Sequence, residues 1–167
     1  MVKKVDVIYS GTKIKHNGAF DLSLLYQNMR EWFMFMGYGD PATKEIKYEE
    51  KMKPNGKTVN FHWKVSQDKE DGYFLLVIDI EFGLTRLNDT KIEHNGSMIT
   101  VDKGDIEIVI NASVVRDSDG KWKGKMTQDL YDKYISNIRR EEVIQDLDDD
   151  VSDFITELKA FLGLYQF

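Results

Sequence analysis

Residues 73–85 read YFLLVIDIEFGLT, and residues 57–65 read KTVNFHWKV. Apolar and polar residues alternate in both stretches, which is the pattern of β-strands that bury one face and expose the other. Antiparallel pairing brings the apolar positions of both stretches onto one face of a sheet: Val59, Phe61, Trp63, Val65, Phe74, Leu76, Ile78, Ile80, Phe82 and Leu84. Because a slip of one residue would reverse every side chain, this agreement predicts an antiparallel sheet with one buried face.

Turn signals on both sides of these stretches extend the predicted sheet. Asn55-Gly56 and Asn95-Gly96 each predict a two-residue hairpin loop, and Lys103-Gly104 predicts a third hairpin. The segment DSDG at residues 117–120 predicts a further turn with a glycine bulge. Together with a first strand over residues 5–15, these turns predict a meander of about seven to eight strands.

Helical periodicity flanks the meander at both ends. Asp21 is a predicted N-cap for a helix over residues 22–36. After Thr127 the period becomes helical again, and apolar residues then recur at alternating spacings of three and four from Ile144 to Tyr165. This repeat predicts a long amphipathic C-terminal helix, so the fold class is α+β.

The net charge of −6 lies entirely in the C-terminal segment, because residues 126–167 hold 4 Lys/Arg against 10 Asp/Glu. Five aspartates stand near the predicted start of the last helix, where the helix dipole favours negative charge: Asp146, Asp148, Asp149, Asp150 and Asp153. A protein that binds nucleic acid needs a basic stripe to neutralise phosphates, and neither part of the chain has one. We therefore expect no nucleic-acid partner.

Length and composition define the class of protein. The chain has 167 residues with 41% hydrophobic residues and 2 prolines, which predicts a single globular domain over residues 1–167. The absence of cysteine excludes disulfides, thiolate nucleophiles and cysteine-based metal sites. With no apolar run of transmembrane length and no signal-peptide pattern, we expect a cytoplasmic protein without a transmembrane segment.

The order of these elements (strand, helix, antiparallel meander, long C-terminal helix) resembles that of the helix-grip superfamily, which includes START domains and pollen allergens. In that superfamily a curved sheet wraps around the last helix and often encloses an apolar cavity. The resemblance implies a carrier or sensor of hydrophobic molecules, or a co-regulator that binds a chaperone, with enzymes in the minority. It covers the whole chain and is carried by element order.

A cavity between the sheet and the C-terminal helix is the first candidate site. Large side chains from three predicted elements converge there: Met29, Phe33, Met36, Phe61, Trp63, Phe154 and Leu158. The Asn55-Gly56 register sets Glu50 opposite Phe61 on the apolar face, so Glu50 is the predicted polar group of the cavity. The alternative for Glu50 is a position at the sheet edge, where its carboxylate bends out to water.

The end of the first helix is apolar on every face. Residues 32–39 read WFMFMGYG, and a helix that is apolar all round is buried or in contact with something else. Three interpretations stay open at this point: a helix end within the core, a ligand gate hinged at Gly37 and Gly39, and a surface for a protein partner.

His62 and Asp79 form a candidate acid–base pair on the polar face of the sheet. The register that buries the apolar face places Asp79 diagonally across from His62, with Glu81 farther along. A histidine–carboxylate pair is the minimum for general acid–base catalysis, but such cross-strand pairs also commonly occupy solvent-exposed faces.

The sequence therefore favours a non-enzymatic domain that binds a hydrophobic small molecule or lipid in the cavity, without cofactor or metal. The alternative is an interaction or scaffold domain that uses the C-terminal helix and the apolar end of the first helix, and the third hypothesis is an enzyme with the His62–Asp79 pair. We expect a monomer or weak dimer.

Overall fold

The computed structural model describes residues 4–69, 73–116 and 136–163, which form an α+β fold. Its elements in chain order are β1 Lys4–Phe20, α1 Leu22–Phe35, a short 3-10 helix Pro41–Lys44, β2 Glu45–Lys53, β3 Gly56–Lys69, β4 Phe74–His94, β5 Ser97–Arg116 and α2 Ser136–Leu162. The predicted DSDG turn, the helical pattern at Thr127 and the end of the apolar repeat at Tyr165 lie outside the described residues. Among the described helices, none is both long enough and apolar enough to cross a membrane.

The strands form one antiparallel sheet in the order β1-β5-β4-β3-β2. The chain enters at one edge, crosses to the other edge through α1, and returns strand by strand until β5 pairs with β1. The prediction of seven to eight strands is wrong, because the sheet formed by the described residues has five. β4 and β5 have 21 and 20 residues, about twice the roughly 10 residues at the upper end of the usual range.

A close approach between backbones explains the wrong strand count. Lys103-Gly104 forms no hairpin, and β5 runs straight through it. Opposite it, β4 carries an irregularity between Thr85 and Asn88, with Arg86 at a φ of 55°. A Cβ on Gly104 would lie 2.7 Å from the carbonyl oxygen of Thr85. The absence of a side chain at Gly104 therefore allows the bulged part of β4 to approach β5 closely, and the glycine does not mark a turn.

The first hairpin is displaced from its predicted register by two residues. Lys53 pairs with Gly56, so the loop is Pro54-Asn55, and Glu50 lies opposite Val59 instead of opposite Phe61. An even displacement leaves Tyr48, Glu50 and Met52 on their predicted face of the sheet, whereas an irregularity between Glu45 and Lys47 brings Glu45 opposite Trp63 in place of Ile46.

The core confirms the predicted faces of β3 and β4. Phe61 pairs with Phe82 and Trp63 with Ile80, and all four side chains are buried. Helices α1 and α2 cover this face with the buried residues Leu25, Met29, Phe33, Val143, Leu147, Val151, Phe154, Leu158, Phe161 and Leu162. The predicted N-cap is also confirmed, because the Asp21 carboxylate accepts a hydrogen bond of 3.1 Å from the Leu24 amide.

The aspartates of α2 connect the helix to the rest of the fold. α2 begins at Ser136, so these residues lie in its middle, and the explanation by the helix dipole is wrong. Instead, Tyr9 donates a hydrogen bond to Asp148 and Tyr38 donates one of 2.7 Å to Asp150. Burial raises the pKa of Asp150, while the hydrogen bond from Tyr38 acts in the opposite direction.

Candidate functional site

The side chains predicted to line a cavity are packed against one another. The Phe33 ring lies between the sheet and α2, with its centroid 6.2 Å from that of Trp63 and 5.0 Å from that of Phe154. Met29, Phe61 and Leu158 are buried in the same cluster. Phe33 thus fills the space between Trp63 and Phe154, where the sequence predicts a ligand.

The polar group beside Trp63 is Glu45, which the sequence analysis did not single out. Its Oε1 accepts hydrogen bonds of 3.0 Å from Trp63 Nε1 and 3.1 Å from Tyr26 Oη. Burial, followed by the hydrogen bond to Glu45, raises the pKa of Tyr26 to about 12. This contact satisfies the indole N–H of a fully buried tryptophan.

The expectation that Glu50 enters the interior is wrong. Its side chain is 44% exposed, accepts a hydrogen bond of 2.8 Å from Tyr48 Oη and lies 3.6 Å from Lys57 Nζ. The physical reason is its position on β2, an edge strand that the helices leave largely exposed. The alternative that the sequence left open, a carboxylate at the sheet edge, is confirmed.

An apolar groove lies at the surface between the end of α1 and the end of α2. We call it the α1–α2 groove; its volume is about 700 Å³, and it is lined by Asn28, Met29, Glu31, Trp32, Phe35, Met36, Glu157, Ala160 and Phe161. Phe35 is 87% exposed, and its neighbour Met34 is 49% exposed. Trp32 forms the inner wall, with its ring 5.1 Å from that of Phe154.

The charged residues that line this groove are both acidic: Glu31 from α1 and Glu157 from α2. Neither was predicted, because both occupy outward-facing positions of amphipathic helices, and such positions carry no signal without the relative placement of the two helices.

Two hydrogen bonds fix the turn that follows α1. Gln67 Nε2 donates to the Met36 carbonyl at 3.3 Å, and Tyr38 donates to Asp150 of α2. Gly37 has a φ of 89°, and a Cβ there would lie 2.4 Å from Gln67 Nε2. β3 and α2 therefore both hold the wall of the groove in place. Glycine at position 37 leaves the space that the Gln67 side chain needs to reach the Met36 carbonyl.

A second concave surface lies on the opposite, solvent-facing side of the sheet. This outer cleft has a volume of about 830 Å³ and is lined by Lys15, His16, Asn17, Lys47, Asn60, Phe61, His62, Glu81, Phe82, Gly83, Thr85, Asp105, Ile106, Glu107 and Val109. His62 Nε2 lies 2.7 Å from Asp79 Oδ1, which confirms the predicted contact. Glu81 was expected farther away but pairs directly with His62 across β3 and β4.

Comparisons with known proteins leave the family open. No family model matches the chain, and no curated protein matches it. Among solved structures, the chain is similar to an uncharacterized protein from Rhizobium leguminosarum, with 9% sequence identity, coverage of 98% of this chain and 99% of that chain, and a TM-score of 0.24.

Proposed function

We propose that this chain is a non-enzymatic binding domain, and that its α1–α2 groove binds an amphipathic, basic segment of a protein partner. The observation that carries the proposal is Phe35, which is 87% exposed at the mouth of an apolar groove. A contiguous exposed apolar surface on a globular protein marks an interaction site. This proposal develops the hypothesis of a partner surface at the end of α1.

The partner's chemistry follows from the lining of the groove. Trp32, Met36 and Phe161 provide an apolar floor for aliphatic or aromatic side chains. Glu31 and Glu157 add two carboxylates, which favour Lys or Arg on the partner and disfavour acidic residues. An amphipathic helix with an apolar stripe and basic flanks has both features.

The apolar stripe of α2 is not available for a partner. Val151, Phe154 and Leu158 are buried in the chain's own core, so an interaction through this stripe would require the core to open. The groove needs no such rearrangement, because Phe35 is already exposed.

The exposure of Phe35 determines how much free energy its burial can contribute to partner binding. Full burial of a phenylalanine side chain stabilises by about 1.5–3 kcal/mol. Since about 1.4 kcal/mol corresponds to tenfold in affinity, removing this ring should weaken partner binding by roughly 10- to 100-fold.

Binding of designed peptides tests the proposal. Two synthetic amphipathic peptides share one leucine stripe, and their polar faces consist of lysine in one and glutamate in the other. Titrations followed by the fluorescence anisotropy of labelled peptide should show preferential binding of the lysine peptide. Phe35→Ser should weaken this binding by roughly 10- to 100-fold, while Met98→Ser, at an exposed methionine on another surface, should leave it unchanged.

The same titrations can contradict the proposed binding of a basic segment in the groove. Failure of both peptides to bind, or equal affinities of the Phe35→Ser variant and the wild type, would overturn the proposal. If an apolar dye binds the wild type, loses affinity in Phe35→Ser and is not displaced by the lysine peptide, the groove is a site for a hydrophobic small molecule and the protein-binding proposal fails.

A further inference from the structure

We propose that the outer face of the sheet carries a site for a divalent transition-metal ion, with His62 Nδ1 and the Glu81 carboxylate as ligands and Asp79 as the residue that orients the imidazole. The site lies on the face of the sheet opposite α1 and α2. It is therefore independent of the proposed function of the α1–α2 groove.

The strand register places the three side chains around one point. His62 of β3 lies directly opposite Glu81 of β4, and Asp79 lies two residues from Glu81 on the same strand face. His62 Nε2 is 2.7 Å from Asp79 Oδ1, and His62 Nδ1 is 3.9 Å from Glu81 Oε1. Both strands are interior strands of the sheet, which fixes the backbone on each side of the site.

The hydrogen bond to Asp79 determines which ring nitrogen is free. An ionised carboxylate only accepts hydrogen bonds, so Nε2 of His62 donates to Asp79. In the neutral imidazole the other nitrogen, Nδ1, then carries a lone pair. Glu81 Oε1 lies 3.9 Å from this nitrogen, and two acceptors at that separation favour a cation between them.

The distance between these two acceptors suits a metal ion. Zn²⁺ lies about 2.0–2.2 Å from histidine nitrogen and carboxylate oxygen, so two ligand atoms at a tetrahedral angle are about 3.4 Å apart. The separation of 3.9 Å is about 0.5 Å wider than this, and a small rotation of the Glu81 side chain, which is 60% exposed, would close the difference. A histidine that binds metal through one nitrogen commonly donates its other N–H to a carboxylate, which is the arrangement of His62 and Asp79.

Among the described residues, no lysine or arginine forms an ion pair with Asp79 or Glu81. Within residues 4–69, 73–116 and 136–163, the ion pairs of Asp79 and Glu81 are with His62 alone. Lys47, which pairs with His62 across β2 and β3, is 2.9 Å from Glu49 instead. Lys64 pairs with Asp79 across β3 and β4, but among the described residues it forms no ion pair with Asp79 or Glu81, whose ion pairs are both with His62.

The ligand types indicate the class of ion. Ca²⁺ and Mg²⁺ prefer sites made of oxygen alone, whereas one imidazole nitrogen with one carboxylate oxygen suits Zn²⁺ and its first-row neighbours. With two protein ligands, the remaining coordination positions face the outer cleft, which His62 and Glu81 both line. The ion would there bind water or a donor group from a small ligand.

Isothermal titration of Zn²⁺ into chelator-treated protein tests the site. We expect one site per chain in the wild type and at least a tenfold loss of affinity in His62→Ala and in Glu81→Gln. Glu81→Gln is the safer variant, because the Glu81 side chain is 60% exposed and its replacement leaves the core untouched. His94→Ala, at the far end of β4, is the matched histidine control and should bind Zn²⁺ as the wild type does.

The role of Asp79 requires its own measurement. Loss of an orienting carboxylate typically weakens metal affinity by about 10- to 100-fold, and we expect this for Asp79→Asn. Nitrogen-15 NMR of His62 should show the Nε2–H form in the wild type and a shift toward Nδ1–H in Asp79→Asn. Zn²⁺ binding that is absent in the wild type, or unchanged in Glu81→Gln and His62→Ala, overturns the site. An unchanged tautomer in Asp79→Asn overturns the orienting role.

Discussion

Phe33→Ala and Phe35→Ala, two residues apart on α1, should have very different consequences for stability: a large loss for Phe33→Ala and almost no change for Phe35→Ala. Phe33 is fully buried, and its ring contacts those of Trp32, Tyr38, Trp63 and Phe154 at centroid distances of 5.0–6.2 Å. Truncation of a buried phenylalanine to alanine costs about 3–5 kcal/mol through lost burial and the cavity that remains. Phe35 is 87% exposed, so its truncation should change stability by less than about 0.5 kcal/mol.

Urea denaturation followed by circular dichroism measures both changes. Because domains are stable by about 5–15 kcal/mol, Phe33→Ala should remain folded with a much lower midpoint. Its apolar cavity should also bind benzene, since engineered cavities of this kind do so, and benzene should raise the melting temperature of this variant alone. A loss below about 1 kcal/mol in Phe33→Ala, or an equal loss in Phe35→Ala, would refute the conclusion that Phe33 fills the interior.

Three further predictions concern other contacts of the core and the sheet. Burial raises the pKa of Asp150 above its ordinary value of 3.8, so its protonated form contributes stability below that value, and this contribution is lost as the pH rises through the raised pKa. Asp150→Asn, which stays neutral, should therefore gain stability relative to the wild type as the pH rises above 3.8, and a difference in urea midpoints that does not change with pH would contradict this. Glu45→Ala should cost about 1–3 kcal/mol because it leaves buried Trp63 Nε1 without its acceptor, and Glu45→Gln, which retains an acceptor, should cost less in the same assay. Gly104→Ala should cost about 1–3 kcal/mol because its Cβ meets the Thr85 carbonyl oxygen at 2.7 Å, whereas Gly83→Ala, with ordinary contacts from 3.4 Å, should be nearly neutral by thermal unfolding.

The predictable parts of the fold are those that local physics determines. Alternation fixed the buried faces of β3 and β4, because side chains of a strand point to opposite sides whatever lies next to them. The N-cap at Asp21 was predictable for the same reason, since a cap bonds to its own first turn.

The strand count and the place of Glu50 depended on distant parts of the chain. A glycine after a lysine, as at position 104, is typical of a turn in sequence. In the structure Gly104 instead gives room to the bulge of β4 at Arg86, and this close approach is visible only once the two strands are paired. Glu50 is exposed because β2 is an edge strand, and the strand order that makes it an edge is a property of the whole topology.

The candidate sites, too, were predictable where they depend on local sequence and unpredictable where they depend on distant elements. The apolar end of α1 was visible as a stretch with no polar face, but which of its residues are buried depends on where α2 crosses it. Packing against α2 buries Phe33 and leaves Phe35 exposed. The contact of His62 with Asp79 followed from the predicted faces, while the pairing with Glu81 required the exact register of β3 and β4.

Methyl NMR of protein labelled at its methionines tests the α1–α2 groove most directly. The chain has 7 methionines; Met36 lines the groove and Met34 flanks it, while Met52 and Met98 are exposed on other surfaces. On addition of the lysine peptide we predict the largest shift changes at Met34 and Met36, and little change at Met52 and Met98. Changes confined to Met52 or Met98, or no change at a saturating peptide concentration, would contradict the groove as the binding surface.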